Sequence, residues 1–172
     1  MIISLIGYRA TGKSTIARLL AEKLNAPWAD SDQEIERQAG KSIARIFAED
    51  GEEAFRNFEA RVIFDLCQSD ELVLATGGGA ILREETREIL RASGPVLWLT
   101  ASPETIAARM NADAATASMR PNLTSLSQLD EIRSVLEFRT PLYQETATLE
   151  ITTEGYTPEE IVAQLLQAGG GM

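Results

Sequence analysis

The chain has 172 residues, 44% of them hydrophobic and 24% charged, the proportions of one globular domain with a full core. Its formal charge of −10 argues against a nucleic-acid surface. No apolar run approaches the roughly 20 residues of a membrane helix, and no basic-then-apolar leader opens the sequence. One cysteine, Cys67, precludes an internal disulfide and fits a cytoplasmic setting. Histidine is absent, so no histidine base, phosphohistidine or histidine-held metal exists here.

In chain order, Ile2 to Ile6 is a short β-branched run, as a buried parallel strand should be. Gly7-Tyr8-Arg9-Ala10-Thr11-Gly12-Lys13-Ser14 follows and fits G-x-x-x-x-G-K-[ST], the phosphate-binding loop of nucleoside triphosphatases and small kinases. From Lys13 the period changes, with Ile16, Leu19, Leu20 and Leu24 on one helical face. The glycines therefore fall between a strand and a helix start, the context in which amide N–H groups and a helix N-terminus cradle an anion. Lys13 adds a full charge, and the Ser14 hydroxyl can hold Mg²⁺.

Ala26 to Ala29 reads as a second strand, ending at Asp30-Ser31-Asp32. Helical patterns follow around Ile35 and from Ser42 to Asp50, where Gly51 stops the helix. A longer helix from about Glu52 to Ser69 puts Phe55, Phe58, Val62 and Leu66 on one face, with Cys67 in the core. Leu72 to Ala75 is a third strand, ending in Thr76-Gly77-Gly78-Gly79. Glu84 to Ala92 is helical, Val96 to Leu99 is a fourth strand, and Ser102-Pro103-Glu104 caps another helix. Residues 111–125 lack hydrophobic period and are expected to form a mobile lid around Arg120-Pro121. Helix resumes near Ser125 and runs towards Arg139, before Pro141 intervenes. Thr146 to Ile151 is a fifth strand. Thr157-Pro158-Glu159 caps the last helix, and residues 169–172 form a flexible tail. Alternating strands and helices predict a three-layer α/β sandwich on a five-stranded parallel sheet, one domain over residues 1–168. Ligands gather at the carboxyl ends of such strands, where the phosphate loop, Asp30 to Asp32 and Gly77 to Gly79 all fall.

Asp30 and Asp32 can serve Mg²⁺ through water and take a proton from a hydroxyl, or can simply cap a helix, and spacing alone leaves the two readings level. Three glycines after a buried strand suit close backbone approach by a small ligand. Arg56 and Glu59, at i and i+3, read as an exposed ion pair by spacing, or as a carboxylate-binding fork held by its neighbour.

Together these segments resemble the shikimate kinase family over nearly the whole chain. The residues that carry the likeness are Gly7 to Thr15, Asp30-Ser31-Asp32, Phe55-Arg56-Asn57-Phe58-Glu59, Gly77-Gly78-Gly79, Arg120-Pro121 and Arg139-Thr140-Pro141-Leu142-Tyr143. The resemblance implies phosphorylation of the 3-hydroxyl of shikimate by ATP and Mg²⁺, on the way to aromatic amino acids. It implies ATP binding by Gly7, Ala10, Thr11, Gly12, Lys13, Ser14 and Thr15, with Arg109 against the adenine and an adenine wall near Thr153 to Pro158. Asp32 would hold the shikimate hydroxyls and act as base. Ser14 and Asp30 would hold Mg²⁺. Arg56 and Arg139 would grip the carboxylate, beside Gly77, Gly78 and Gly79. Lys13 and the lid residue Arg120 would neutralise the transferring group. A cytoplasmic monomer is expected, with no nucleic-acid or membrane partner. Two departures stand out: the family commonly has glycine at Ala10, and leucine where Asn122 follows Arg120-Pro121. The alternatives are a kinase for gluconate or a nucleoside monophosphate, a GTPase (though no Asn-Lys-x-Asp segment reads guanine), and a catalytically silent binding module.

Overall fold

The computed structural model describes residues 1–113 and 127–169. Arg120, Asn122 and most of the expected lid lie outside the described residues, and the part of it that is described, residues 111–113, closes a helix. The elements are β1 (Ile2–Ile6), α1 (Lys13–Leu24), β2 (Trp28–Asp30), α2 (Ser31–Ala39), α3 (Ile43–Leu66), β3 (Leu72–Ala75) and a 3₁₀ turn (Ala80–Leu82). They continue with α4 (Glu84–Ser93), β4 (Val96–Thr100), α5 (Pro103–Ala112), α6 (Gln128–Thr146), β5 (Leu149–Thr152) and α7 (Pro158–Gly169).

All strand pairs are parallel, in the order β2-β3-β1-β4-β5. The period of two divides the core between the two faces of the sheet. Ile2, Ile6, Leu72, Leu74, Val96 and Trp98 face Ile63, Leu90 and Tyr143, from α3, α4 and α6. Leu5, Val73, Ala75, Leu97 and Leu99 face Ile16 and Leu20 of α1 and Ile161 and Val162 of α7. The expected three layers are thus present. A third cluster joins α2 to α3 through Ile35, Ile43, Ile46, Phe55 and Val62, so this arm carries its own small core. A fourth packs Tyr8 beneath Ile106, Met110 and Ile132.

Several boundaries differ from expectation, each for a local reason. β2 begins at Trp28 instead of Ala26, because Pro27 has no N–H for the ladder; it contributes only a carbonyl, to Val73 N. α6 runs through Pro141 to Thr146. Pro141 and Glu137, whose carbonyl loses its donor, are both exposed, so the break in the ladder falls on the solvent side of the helix. Beyond Pro141, Tyr143 is fully buried and stacks on Trp98 at 5.6 Å, which holds the helix in place. β5 starts later in consequence, at Leu149. Leu24, expected inward, is exposed at the last turn of α1. Cys67 caps α3 and is only partly buried, although burial still pushes its thiol pKa up. Gly169 closes α7 and is not part of a tail.

Gly51 breaks α3 as expected, with φ 87° and ψ 171°. That region is essentially glycine-only, and no atom lies within 4 Å of where a β-carbon would stand. Gly51→Ala therefore isolates backbone strain from packing. Urea unfolding is expected to show a loss of about 1–3 kcal/mol; an unchanged midpoint would mean that the arm re-bends freely at this point.

Candidate active site

β1 ends at Gly7, where the chain turns hard against β4: a β-carbon on Gly7 would stand 2.5 Å from the Leu99 carbonyl oxygen, and φ is 140°. The loop then closes on itself. Thr11 Oγ1 donates to the Tyr8 carbonyl at 2.7 Å, and Lys13 Nζ donates to the Gly7 and Tyr8 carbonyls at 2.8 Å each. Lys13 is buried, so its ammonium sits inside the curve of the loop. Gly12 precedes α1 without a side-chain cap, and no acidic residue occupies the first turn. The first N–H groups of α1 are thus available to an anion. Ser14 and Thr15 stand exposed on that first turn. Ala10 adopts φ 61°, the left-handed region where an L residue is strained by about 1–2 kcal/mol.

The two aspartates separate by role. Asp30 caps α2, its Oδ1 accepting from Asp32 N at 2.9 Å and Gln33 N at 3.3 Å. Its Oδ2 accepts from the Ser14 hydroxyl, so one carboxylate both caps α2 and touches the phosphate loop. Asp32 follows the cap in the first turn of α2, and its carboxylate lies against Gly77, where a β-carbon would stand 2.7 Å from Oδ1. A hydroxyl and a carboxylate held in contact at Ser14 and Asp30 form an all-oxygen donor set, which suits a hard cation that draws its other ligands from water and phosphate. Among the described residues, no cluster of three or more acidic or cysteine side chains could hold a metal by itself.

The glycine turn is shaped by what surrounds it. Gly77 N–H donates to Ser31 Oγ at 3.1 Å, which ties the start of the turn to α2. A β-carbon on Gly79 would stand 2.5 Å from Arg56 Nη2. Arg56 Nη1 binds Glu59 Oε2 at 2.6 Å, with side-chain exposures of 14% and 4%. The exposed ion pair that spacing suggested is therefore a buried one. Arg139 Nη1 approaches Gly78 from the other side, 3.6 Å from where its β-carbon would be. The Tyr143 hydroxyl, one helical turn on, donates to the Gly78 carbonyl at 2.6 Å. Burial pushes its pKa up to about 12, against the pull of Arg139 beside it, so it stays a neutral donor.

A cleft of about 500 Å³ brings these parts together, lined by the phosphate loop from Arg9 to Thr15, by Asp30 and Asp32, and by Gly77 and Gly78. Arg56, Gly79 and Arg139 are not among the lining residues; they adjoin the cleft through the glycine turn, Arg56 against Gly79 and Arg139 against Gly78. Arg109 joins the loop to the end of β5, donating to the Ala10 carbonyl at 3.3 Å, Thr153 Oγ1 at 2.9 Å and the Thr153 carbonyl at 3.2 Å. Pro158 opens α7 just beyond. Sequence reasoning placed Arg9, Ser31 and Tyr143 inside motifs but gave none of them a role. Tyr143 had a signal in its i, i+4 spacing from Arg139; Ser31 had none.

The family model "Shikimate kinase" matches residues 9–169. The chain is 46% identical over 164 residues to a shikimate kinase of Rhodopirellula baltica, covering 95% of this chain and 88% of that one. It is 40% identical to one of Symbiobacterium thermophilum, covering 97% and 95%. A solved shikimate kinase from Acinetobacter baumannii in complex with shikimate superposes with a TM-score of 0.90 at 38% identity, over 97% of this chain and 91% of that one.

The strained loop residue yields a test that needs no ligand. Ala10→Gly removes the left-handed penalty but adds freedom to the unfolded chain. The net expectation is a gain of roughly 0.5–1 kcal/mol in urea unfolding. A loss would show that the Ala10 methyl makes packing contacts stronger than the strain.

Proposed function

The chain belongs to the shikimate kinase family, and on that premise we propose how its residues divide the reaction. The reaction moves the γ-phosphoryl group of ATP to the 3-hydroxyl of shikimate, giving shikimate 3-phosphate and ADP, a step towards chorismate and the aromatic amino acids. The observation that carries the division of labour is that the phosphate loop and the arginine-backed glycine turn open on one cleft, with Asp32 between them.

The bond from γ-phosphorus to the ADP oxygen breaks, the bond to the shikimate oxygen forms, and the hydroxyl proton passes to Asp32. The transition state is loose, so positioning and charge do most of the work. Gly7, Ala10, Thr11, Gly12 and Thr15 shape the loop that holds the ATP phosphates, and Lys13 faces the transferring group from inside it. Arg109 and the chain up to Pro158 border the nucleotide base. Arg56, held by Glu59, and Arg139, steadied by Tyr143, grip the shikimate carboxylate as planar forks. Gly78 and Gly79 let the ligand approach the backbone, and Gly77 keeps room for Asp32. Ser14 and Asp30 would hold Mg²⁺, which supplies positive charge to the phosphate oxygens when bound. Arg120 joins this proposal through its Arg-Pro motif alone. We further read the chain as one kinase domain over residues 1–168, acting as a cytoplasmic monomer. No described helix is long and apolar enough to cross a membrane.

ADP release measured across shikimate, quinate, gluconate and nucleoside monophosphates tests the whole reading; turnover with shikimate above the rest is the expected pattern. ATP binding without ADP release would favour a silent binding module instead.

Two variant pairs test the parts. Asp32→Asn keeps the shape but cannot take the proton, and kcat is expected to fall on the order of 10²–10⁴-fold. Asn caps a helix about as well as Asp, so Asp30→Asn should leave α2 intact and raise the Mg²⁺ requirement, with partial rescue by excess metal. If metal rescues Asp32→Asn instead, the two carboxylates have exchanged roles. Arg56→Ala and Arg139→Ala should each raise the shikimate KM by roughly 10–100-fold with ATP affinity little changed. Steady-state kinetics decide this, and normal shikimate affinity in either variant would remove that arginine from the carboxylate site.

A further inference from the structure

Arg9 holds the third place of the phosphate loop and lines the cleft, yet none of the roles above uses it. Its guanidinium carbon stands 5.9 Å from the centre of the Tyr8 ring. Tyr8 is buried and fixed by Ile106, Met110 and Ile132. Such a ring steadies a cation without neutralising it.

Three other cations around the cleft are engaged. Lys13 binds the loop's own carbonyls, Arg56 binds Glu59, and Arg109 binds Ala10 and Thr153. Among the described residues, no ion pair or side-chain hydrogen bond occupies the Arg9 guanidinium. The carboxylates of Asp30, Asp32 and Glu36 line the same cleft in a chain of charge −10. An anionic ligand arriving there needs a local cation to offset them.

The position of Arg9 says which anion. Its backbone nitrogen is 3.4 Å from where a β-carbon on Gly78 would stand, and Arg139 Nη1 is 3.6 Å from the same point. Arg9 thus marks the junction of the phosphate loop with the glycine turn, the acceptor end of the loop. On the reading that the cleft moves a phosphoryl group from the loop to an acceptor at the glycine turn, that group would come to rest near this junction, within reach of the long Arg9 side chain.

We propose that Arg9 binds the transferred phosphoryl group on the acceptor side, gripping the phosphate of shikimate 3-phosphate through charge-assisted hydrogen bonds. A guanidinium fork matches phosphate oxygens in pairs, which an ammonium does not. This assignment rests on the reading that the cleft phosphorylates shikimate. Arg9 is then a product-side contact, distinct from the carboxylate grip of Arg56 and Arg139.

The test compares binding of shikimate, shikimate 3-phosphate and ATP to the full chain by titration calorimetry, in wild type, Arg9→Met and Arg9→Lys. Methionine keeps an unbranched stem over Tyr8 and removes the fork. In Arg9→Met the Kd for shikimate 3-phosphate should rise about 10–100-fold, while that for shikimate moves by less than about threefold. Arg9→Lys, which retains charge without the fork, should lose less. Equal weakening of shikimate and its phosphate would mark a packing role on Tyr8 and overturn the proposal. So would a loss confined to ATP, or unchanged affinity for the phosphate. If Arg9→Met does not fold, the same comparison in Arg9→Lys decides. Wild-type ADP release with shikimate, recorded alongside, separates a failure of the family chemistry from a failure of the Arg9 assignment.

Discussion

Asp30 joins two parts of the molecule with one carboxylate. Oδ1 closes the N-terminus of α2, and Oδ2 binds the Ser14 hydroxyl on the first turn of α1. Each contact needs the other's geometry: the cap aims the carboxylate, and Ser14 ties it to the phosphate loop. The α2–α3 arm, with its separate small core, is thereby registered against the nucleotide side. Asp32 inherits its place from the same cap, two residues on, and faces Gly77. A helix N-terminus with a charge-assisted cap is among the stronger local restraints available to a backbone.

The acceptor side depends on a different constraint, the burial of Arg56 with Glu59. Taking two charges out of water is costly, and such a pair is weak evidence of stability by itself. Its value lies in direction. Glu59 holds one edge of the guanidinium, and Gly79 leaves room for the fork to lie against the turn. Removing either partner would strand a buried charge at a cost of about 3–5 kcal/mol. Arg56 is therefore held with its geometry already set, and on the proposed reading a carboxylate ligand would cost little side-chain entropy on binding.

Tyr143 extends this rigidity to the far side of the glycine turn. Its ring lies on Trp98 of β4 and its hydroxyl on the Gly78 carbonyl, so it ties the sheet, the turn and α6 together. Arg139 lies one turn before it on α6 and takes its place from that anchor. The same anchor explains why α6 tolerates Pro141 where a free helix would stop.

The sequence alone determined the alternation of strands and helices, the phosphate loop and the position of each glycine cluster. These are local signals: period, turn chemistry and the residues that only certain backbone angles accept. It also carried the family resemblance, because that rests on ordered short motifs. What it left open was every question of partnership across the fold. Whether Asp30 caps a helix was undecided, spacing favoured an exposed Arg56–Glu59 pair, and the helix was expected to end before Pro141. Ser31 reaching Gly77, Tyr143 reaching Gly78 and Arg9 standing beside Gly78 join segments 46, 65 and 69 residues apart. Burial and hydrogen-bond geometry between such distant segments arise only when the sheet brings them together, so only the tertiary structure decided them.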